Sequence, residues 1–383
     1  MRIVGISVLE YARKLDGRSW NPVSRWTERR APLVLIEADN GLAGVGEGWS
    51  RQASIGLILA HLADAVAPRL AGAEVVDGES IARIVGPLRA TPHRVTSEEW
   101  VPAAAASAID MALWDLLARS LQQPLWRALG GTSNRVPVYA SGGLYRDGTD
   151  TCDLAAEMRS HIAAGFRAVK MKVGALPLPA DLERVRAVRD AIGQAALLWV
   201  DAVNQLTREN AAECVAAFAV AGAQAIQAPV PFDDLATMAA INRDWLPVIA
   251  GEAGHDPSSF DALLAADAVS LLQPCLGLCG GFSAATGIAA EARQRAIGVT
   301  AQTFGTAVMQ AASLHWGAAT GGVHSVEYHR FHDHLAPFMS ADLRTVIDGH
   351  VLLGEEPGLG FDLPRAGAQS DGGQIRCVRR LDA

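Results

Sequence analysis

The chain has 383 residues, of which half are hydrophobic and 19% are charged, so it can bury a large core with a smaller companion unit, and wholesale disorder is excluded. Its 33 basic and 41 acidic side chains give a formal net charge of −8 with the histidines neutral. This balance argues against a nucleic-acid or anionic-membrane surface, which needs a basic patch, but it is compatible with an anionic substrate because the charge in a cleft can oppose the global sign.

Cysteine usage and hydropathy bear on where the protein is found. Five cysteines in so long a chain, an odd number, do not suggest a disulfide framework. The first seven residues mix charge with apolar side chains, and no apolar stretch typical of a secretory leader is visible. The most apolar helical run, 215–223, is much shorter than a membrane span. We therefore expect a cytoplasmic protein with no membrane partner.

The N-terminal third has the pattern of an antiparallel sheet followed by helices. Alternating apolar residues predict three strands: 2–8, 33–38 and 43–47. Asn40 and Gly41 are a hairpin turn signal between the last two strands. The segment 20–30 has no clear periodicity and is predicted to be a loop, whereas 54–129 is helical and includes an alanine-rich helix over 103–121. This order of elements is typical of an α+β unit.

Beyond residue 130, short apolar runs alternate with helical runs at intervals of about 20 to 30 residues, the length of a βα unit. Eight strands are predicted: 136–139, 168–172, 196–200, 223–227, 247–250, 268–273, 298–301 and 323–327. Helical patterns lie between them, for example 181–192, 209–221, 258–265 and 284–295. Because parallel strands need helical crossovers, this alternation predicts a parallel barrel. The tail from 349 onward is rich in glycine and proline and is expected to be coil that packs on the N-terminal unit.

In such a barrel the chemistry lies at the C-terminal ends of the strands. Polar or thiol-bearing residues end seven consecutive predicted strands: Lys170 and Lys172, Asp201, Gln227, Glu252, Cys275, Gln302 and Glu327. Loops after strands are polar in any barrel, so a few such residues would mean little. The full set would converge on one mouth and therefore indicates an active site.

Two groups within this set suggest specific chemistry. Lys170 and Lys172 point to the same face of their strand, and repulsion between two ammonium groups makes one of them a better base near neutral pH. A solvated pair on an edge strand is the alternative, which their apolar neighbours disfavour. Asp201 and Glu252 are hard oxygen donors that suit Mg²⁺, and Gln227 offers an amide oxygen on the strand between them. Considered singly, Asp201 could cap a helix and Glu252 could form a salt bridge. Together they predict a metal site, although it has one carboxylate fewer than a divalent cation favours.

Several motifs carry a resemblance to a known family: Gly44-Val45-Gly46-Glu47, the helix segment 107–116, Leu129-Gly130-Gly131, the Lys-x-Lys strand in 165–174, 200–205, Gly251-Glu252, Gly280-Gly281 and Val326-Glu327. Over nearly its whole length the chain resembles the enolase superfamily, in the mandelate racemase/muconate lactonizing enzyme branch. The resemblance implies an α/β fold, a modified (β/α)7β TIM-like barrel over 131–348, with an α+β capping domain over 1–130 on which the tail 349–383 packs.

The resemblance also implies roles for the strand-end residues. The shared chemistry of the family is abstraction of the proton α to a carboxylate, with Mg²⁺ at the mouth of the barrel. Lys172 would be the base, and Lys170 would adjust how readily it gives up its proton. Asp201 and Glu252 would bind Mg²⁺ with help from Gln227. Glu327 could hydrogen-bond a carboxylate oxygen of the substrate if it is protonated, or through donors nearby.

Three positions depart from the family pattern. Gln227 stands where a carboxylate usually precedes proline, which should weaken Mg²⁺ binding. Gln302 stands where many relatives have a histidine base, and Cys275 replaces the aspartate that orients this histidine. Glutamine cannot accept a proton at neutral pH, so two-base racemisation is disfavoured. Cys275 could be a base only as thiolate, which burial opposes, so a structural role is expected for it.

The capping loop and a histidine-rich segment are further candidates. Arg25 and Trp26 lie where the capping loop of the family closes over substrate, and arginine suits a carboxylate or an acid sugar; an exposed loop or interface is the alternative. His329, with three more histidines nearby, could contact substrate or replace the missing acid, although a surface loop explains the cluster equally well and zinc is less favoured without cysteine. His93 could also reach the site from the cap.

These observations lead to one main hypothesis and two alternatives. The main hypothesis is a Mg²⁺-dependent lyase that dehydrates an acid sugar or related hydroxy acid. The alternatives are a racemase or epimerase with an atypical second base, and a catalytically degenerate barrel that only binds a ligand. The expected partner is a small carboxylate, with no nucleic acid, and a symmetric homo-oligomer is expected by analogy of fold alone.

Overall fold

The computed structural model describes residues 1–51, 54–89, 98, 100–363, 369–370 and 372–382. His93 lies outside these residues. The N-terminal elements are β1 (Ile3–Lys14), β2 (Ser19–Asn21), β3 (Ser24–Arg25), β4 (Glu28–Ala38), β5 (Ala43–Glu47), α1 (Ile55–His61), α2 (Gly78–Arg89), α3 (Trp100–Ser120) and α4 (Leu125–Ala128). A π-helical turn at 62–66 and a 3₁₀ turn at 67–69 continue α1.

The following elements alternate between strand and helix. They are β6 (Arg135–Ser141), β7 (Tyr145–Arg146), α5 (Thr151–Ala163), β8 (Ala168–Lys172), α6 (Leu178–Ile192), β9 (Leu197–Asp201), α7 (Ala211–Val220), β10 (Ala225–Gln227), α8 (Leu235–Asp244), β11 (Val248–Ala250), α9 (Pro257–Ala265), β12 (Leu271–Leu272), α10 (Gly281–Gln294), β13 (Gly298–Ala301), α11 (Ala307–Thr320) and β14 (Ser325–His329). The chain ends with two short 3₁₀ turns and with β15 (Val346–Ile347), β16 (His350–Leu352), β17 (Gln369–Ser370) and β18 (Gly373–Asp382).

Eight parallel strands close into a barrel in the order β6-β8-β9-β10-β11-β12-β13-β14, because β14 pairs with β6 in the register Val326 to Val138. This confirms the predicted (β/α)7β barrel with a cap. Two strands, β8 and β13, have the predicted bounds, whereas the sixth strand of the barrel is only Leu271–Leu272. Aromatic side chains fill the inside of the barrel: Tyr139 and Trp199 lie with ring centroids 4.6 Å apart. The polar strand ends lie beyond this apolar layer.

The cap is a five-stranded antiparallel sheet of order β17-β18-β1-β4-β5, with helices on one side. Alternation along β4 buries Val34 and Ile36 against the cap helices and Ala31 and Leu33 toward the barrel. The predicted loop at 20–30 was partly wrong, since β2 and β3 lie within it and β4 begins at Glu28. Strand β2 pairs with β7, far along the chain, so local periodicity could not reveal it.

Helix α3 is the most apolar long helix of the cap. By length and composition it could cross a membrane, but 94% of its most apolar window is buried inside the protein. It therefore serves as a core helix here, and it is longer than the run at 215–223 that the sequence singled out. Strand β5 lies directly on its backbone: a Cβ at Gly44 would be 2.1 Å from the Ala112 carbonyl oxygen, and one at Gly46 would be 2.0 Å from that of Ala108. This explains the two glycines of the Gly44-Val45-Gly46-Glu47 motif.

The C-terminal tail is not all coil. Strand β16 pairs antiparallel with β6 of the barrel, and β18 pairs with β1 of the cap over most of its length. Strand β18 was missed because it buries few side chains, with Gly373 and Ile375 inside and most others exposed. We propose to keep the division into a cap, 1–130 with the tail, and a barrel, 131–348.

Candidate active site

The strand-end lysines form a charged cluster at the mouth of the barrel. Lys170, which is 1% exposed, donates from Nζ to Gln227 Oε1 at 2.6 Å and to Glu327 Oε1 at 2.7 Å. The same nitrogen lies 3.2 Å from Asp201 Oδ2. Lys172 Nζ donates to that Asp201 oxygen at 2.5 Å. The structure thus brings together five residues that the sequence placed at four different strand ends.

Burial and ion pairing shift the pKa values of this cluster in opposite directions. Burial alone would lower the pKa of Lys170, but the carboxylates of Glu327 and Asp201 outweigh it and hold this pKa well above the ordinary value. Burial would likewise raise the pKa of Asp201, but the ammonium groups of Lys172 and Lys170 lower it. Lys170 is therefore a fixed cation, so its charge is governed by the carboxylates rather than by repulsion from its neighbour. Lys170, Lys172 and Lys14 are the only lysines of the chain.

Glu252 differs from the other carboxylates of the site. It follows β11 after Gly251, whose φ of +129° gives the strand end a conformation that favours glycine. Burial, and then the charge of Asp201, raise the pKa of Glu252 to about 7. Its Oε2 atom is buried and has no hydrogen-bond partner. A carboxylate in this state would be stabilised by an added positive charge.

Asp201, Gln227 and Glu252 follow one another on the neighbouring strands β9, β10 and β11. Two carboxylates and an amide oxygen are hard donors of the type that Mg²⁺ binds. The unpartnered Glu252 oxygen and its repulsion from Asp201 are both relieved by a divalent cation, so these residues fit a magnesium ion. Within the described part of the chain, no group of three histidine, cysteine or acidic residues is arranged for a metal. The set proposed here is not such a group, because its third donor is an amide.

Glu327 and Gln302 occupy the side of the mouth formed by the last two strands. Glu327 accepts from Lys170 through Oε1 and from the Thr303 backbone N–H through Oε2, at 3.1 Å. Gln302 has a buried Oε1 atom without a partner. Cys275 pairs with Gln302 through the backbone and is fully buried. Burial, and to a smaller extent the electrostatic interaction with Cys279, raise the pKa of the Cys275 thiol well above its ordinary value. The thiol therefore stays protonated and acts as a packing residue.

Two polar residues of the cluster were missed by the sequence. Gln273 donates from Nε2 to the Tyr139 hydroxyl at 3.0 Å and lies 3.4 Å from Gln227 Oε1. Lys170 Nζ lies 5.6 Å from the centre of the Tyr139 ring. Gln273 directly follows β12, so the strand-end rule could have found it, but Cys275 was taken as the end of that strand. Tyr139 lies inside the first strand, where an aromatic residue resembles ordinary core.

Three of the four histidines, His329, His332 and His334, are buried against the capping loop and are not on a surface loop, whereas His324 is exposed. His329 accepts at Nδ1 from the backbone N–H groups of His332 at 3.2 Å and Phe331 at 3.4 Å, which leaves the ring hydrogen on Nε2. Burial, and then the charges of Lys172 and Lys170, hold the pKa of His329 well below its ordinary value. Trp26 is buried with its ring centroid 5.5 Å from that of His332. His329 and Trp26 are thus held together beside the lysine cluster.

Arg25 is placed differently from the other predicted residues. It is exposed, pairs with Asp147 at 2.5 Å and lies over the Trp20 ring. The structure does not bring it to the mouth of the barrel. Arg29, four residues further along the chain, is only 3% exposed, and its guanidinium carbon lies 4.2 Å from the centre of the Phe304 ring. The sequence could not show which of the two arginines is buried, because this depends on where β4 begins, at Glu28.

Family comparisons agree with this architecture. Residues 153–367 match the family of enolase C-terminal domain-like proteins, and residues 13–130 match the N-terminal domain of mandelate racemase/muconate lactonizing enzymes. The chain belongs to the enolase superfamily, as its motifs indicated.

Relatives and solved structures cover most of the chain. D-galactarolactone cycloisomerase of Agrobacterium fabrum is 31% identical over 95% of this chain and 97% of its own length. Arabinonate dehydratase of Saccharolobus solfataricus is 27% identical over 68% and 70%. The crystal structure of a racemase from Streptomyces coelicolor with bound magnesium gives a TM-score of 0.84 at 27% identity and covers 94% of this chain and 97% of its own. The relatives of this chain are thus enzymes of several types: dehydratases, cycloisomerases and racemases.

Proposed function

We propose that the protein is a Mg²⁺-dependent lyase that removes water from an acid sugar or a related hydroxy acid. The observation that carries the proposal is the arrangement of Lys172 beside three oxygen-donor side chains, Asp201, Gln227 and Glu252, at one end of the barrel. Mg²⁺ bound by these three residues would supply positive charge next to the carboxylate of the substrate, where negative charge accumulates once the α-proton is removed.

Lys172 is the proposed base. It lies next to Lys170, which Glu327 and Asp201 keep charged, and its own Nζ lies 2.5 Å from Asp201 Oδ2, beside the proposed cation site. In its uncharged form the amine can accept the α-proton of the substrate. The C–H electron pair of the substrate moves into the carboxylate as Lys172 takes the proton. The electrons then return, expel the β-hydroxyl group and form a carbon–carbon double bond.

The leaving hydroxyl group needs a proton, and among the described residues at the mouth we favour Lys172 as its source. His329 is neutral with its hydrogen on Nε2, so it can donate a hydrogen bond but does not release a proton readily. Gln302 has no acidic proton, and the thiol of Cys275 is fully buried with a pKa raised well above its ordinary value. We therefore infer that the Lys172 ammonium, formed in the first step, gives its proton to the hydroxyl group, which then leaves as water from the same face.

The test is proton exchange at the α-carbon. Aldonates and aldarates are incubated with the protein and Mg²⁺ in D₂O, and loss of the α-proton and formation of product are followed by NMR. Replacing Lys172 by alanine should lower exchange and dehydration by about 10²–10⁴-fold, the contribution of a positioned acid–base group. Lys14→Ala is the matched control, since Lys14 is an exposed lysine at the end of β1.

Each outcome decides between the alternatives. Exchange with dehydration that depends on Lys172 supports the proposal. Exchange with inversion at the α-carbon and no dehydration would support a racemase with an unidentified second base. No exchange of any acid sugar would support a degenerate binding protein.

A second candidate, a cycloisomerase, is favoured by the similarity to D-galactarolactone cycloisomerase, which is 31% identical over 95% of this chain. Its first step would use the same base, but the leaving group would stay attached to the product. Mass spectrometry separates the two, because dehydration removes one water from the substrate whereas cycloisomerisation leaves its mass unchanged.

A further inference from the structure

Arg29 is a buried cation on the face of the cap that points to the barrel. Strand β4 alternates, and Arg29 lies on the same side as Ala31 and Leu33, which pack in the core shared with the barrel. The next residue, Arg30, lies on the other side and pairs with Glu10. Two adjacent arginines therefore have opposite environments, one paired near the surface and one enclosed.

Among the residues that the structure describes, the guanidinium of Arg29 has no anionic partner. Its Nε atom is buried without a hydrogen bond, and among the described residues no carboxylate lies within ion-pair distance of it. Burial lowers the pKa of Arg29 to about 10, although the negative charge of Glu47 opposes this. Burying an unpaired charge destabilises a folded protein, so such a residue is expected to have a function that requires it.

The surroundings of Arg29 belong to the mouth of the barrel. Phe304, over which it lies, follows Thr303, whose backbone N–H donates to Glu327. The Phe304 ring centroid is 4.9 Å from that of His332 and 6.4 Å from that of His329. Arg29 therefore lies on the cap side of the residues that follow the seventh barrel strand, next to Phe304 and the buried histidines.

We propose that Arg29 binds a second carboxylate of the substrate, so that the protein prefers dicarboxylic acid sugars over monocarboxylic ones. The proposal rests on the function proposed above, since it places one carboxylate near Asp201 and Glu252 and the other at the cap. A guanidinium matches a carboxylate with two parallel hydrogen bonds. The neighbouring histidines are uncharged, so this subsite offers one positive charge, which suits a carboxylate better than a phosphate dianion.

The experiment compares a hexarate with the hexonate of the same configuration, which differ only in that a terminal carboxylate replaces a hydroxymethyl group. Binding in the presence of Mg²⁺ is measured by calorimetry and by the rise in unfolding temperature. We expect the wild-type protein to bind the hexarate about tenfold or more tightly than the hexonate, as a charge-assisted hydrogen-bonded pair would give. Arg29→Met should abolish this difference and also raise the unfolding temperature of the unliganded protein, because it removes a buried unpaired charge.

Arg30→Met is the matched control and should retain the preference for the hexarate, and Arg29→Lys should retain part of it. Equal affinity of the wild-type protein for both ligands, no binding of any hexarate at millimolar concentration, or an unchanged preference in Arg29→Met would overturn the inference. The binding assay and the proton-exchange assay test the two proposals independently. An Arg29-dependent preference without any proton exchange would refute the proposed reaction but would still support the carboxylate subsite.

Discussion

At the scale of single residues, the site is a charge balance. Lys170 and Lys172 supply two positive charges, and Asp201, Glu252 and Glu327 can supply three negative ones. Asp201 and Glu327 are paired directly with the lysines, whereas Glu252 has a raised pKa and an unpartnered oxygen. The surplus carboxylate is thus the one that faces the proposed cation, and Lys170 is the residue that holds the other charges in place.

Replacing Lys170 by methionine should destabilise the protein strongly. The substitution leaves Glu327 and Asp201 buried with one partner fewer, and breaking a buried ion pair from one side costs about 3–5 kcal/mol. The free energy of unfolding, measured by urea denaturation with Lys14→Met as the control, checks this. Adding Glu327→Gln should recover part of the loss, because the uncompensated charge is removed. An equal loss in the single and double variants would contradict the pairing seen here.

How far the site could be predicted differs from residue to residue. Lys170, Asp201 and Glu327 were found because the ends of parallel strands must meet at one edge of a barrel. Arg29 could not be chosen over Arg25, since only the three-dimensional start of β4 decides which of them is enclosed. A rule based on strand ends locates the barrel side of a site but gives no position for the cap side.

At the scale of elements, the junction of β5 with α3 explains why the cap needs glycine. A Cβ at Gly46 would lie 2.0 Å from the carbonyl oxygen of Ala108, which belongs to a rigid helix. Gly46→Ala should therefore destabilise the cap by about 3 kcal/mol or more, the upper range of overpacking effects. Gly56→Ala, at an open position of α1, is the control and should be neutral or stabilising. Thermal unfolding measures both, and equal stability of the two variants would contradict the close contact.

A second junction joins α3 to α10 of the barrel and predicts a dependence on pH. Asp110 accepts from the Ser283 backbone N–H at 3.2 Å, and burial raises its pKa to about 7 from 3.8. Between these values the folded protein holds a proton that the unfolded chain has released, so rising pH favours unfolding, by up to about 4 kcal/mol in total. Asp110→Asn should remove this loss and flatten the profile of unfolding free energy over that interval. The same slope in both proteins would show that Asp110 does not titrate there.

The elements themselves were predictable to different degrees. Strands such as β8 and β13 were found with their bounds because nearly all of their residues are buried, although Lys170, Lys172 and Thr300 interrupt their apolar runs. The final strand β18 was missed, since its side chains are mostly exposed and it is held in the sheet by backbone pairing with β1 and β17. Buried elements leave a pattern in the sequence, and elements held by backbone pairing alone do not.

At the scale of the whole molecule, the two ends of the chain meet in the cap, where β1 pairs with β18, and the cap is then fastened to the barrel. Glu47, at the end of β5, accepts from the backbone N–H groups of Thr306 at 2.9 Å and Met309 at 3.1 Å, at the start of α11. Its buried carboxylate lies at the positive end of that helix. The cap residues near the mouth, Trp26 and Arg29, are thereby held in a fixed position over the strand ends.

Because the proposed cation site joins three strands of the barrel, metal binding should stabilise the whole protein. A ligand that binds only the folded state adds about 2.7 kcal/mol at a concentration 100-fold above its Kd. Mg²⁺ should therefore raise the unfolding temperature, and Glu252→Gln should abolish the rise, whereas Glu209→Gln, an exposed control, should not.

Gln227→Glu adds a carboxylate to the donor set and should tighten Mg²⁺ binding about tenfold, measured by calorimetry without any substrate. No stabilisation of the wild-type protein, together with none in Gln227→Glu, would show that these three strand ends do not hold the ion.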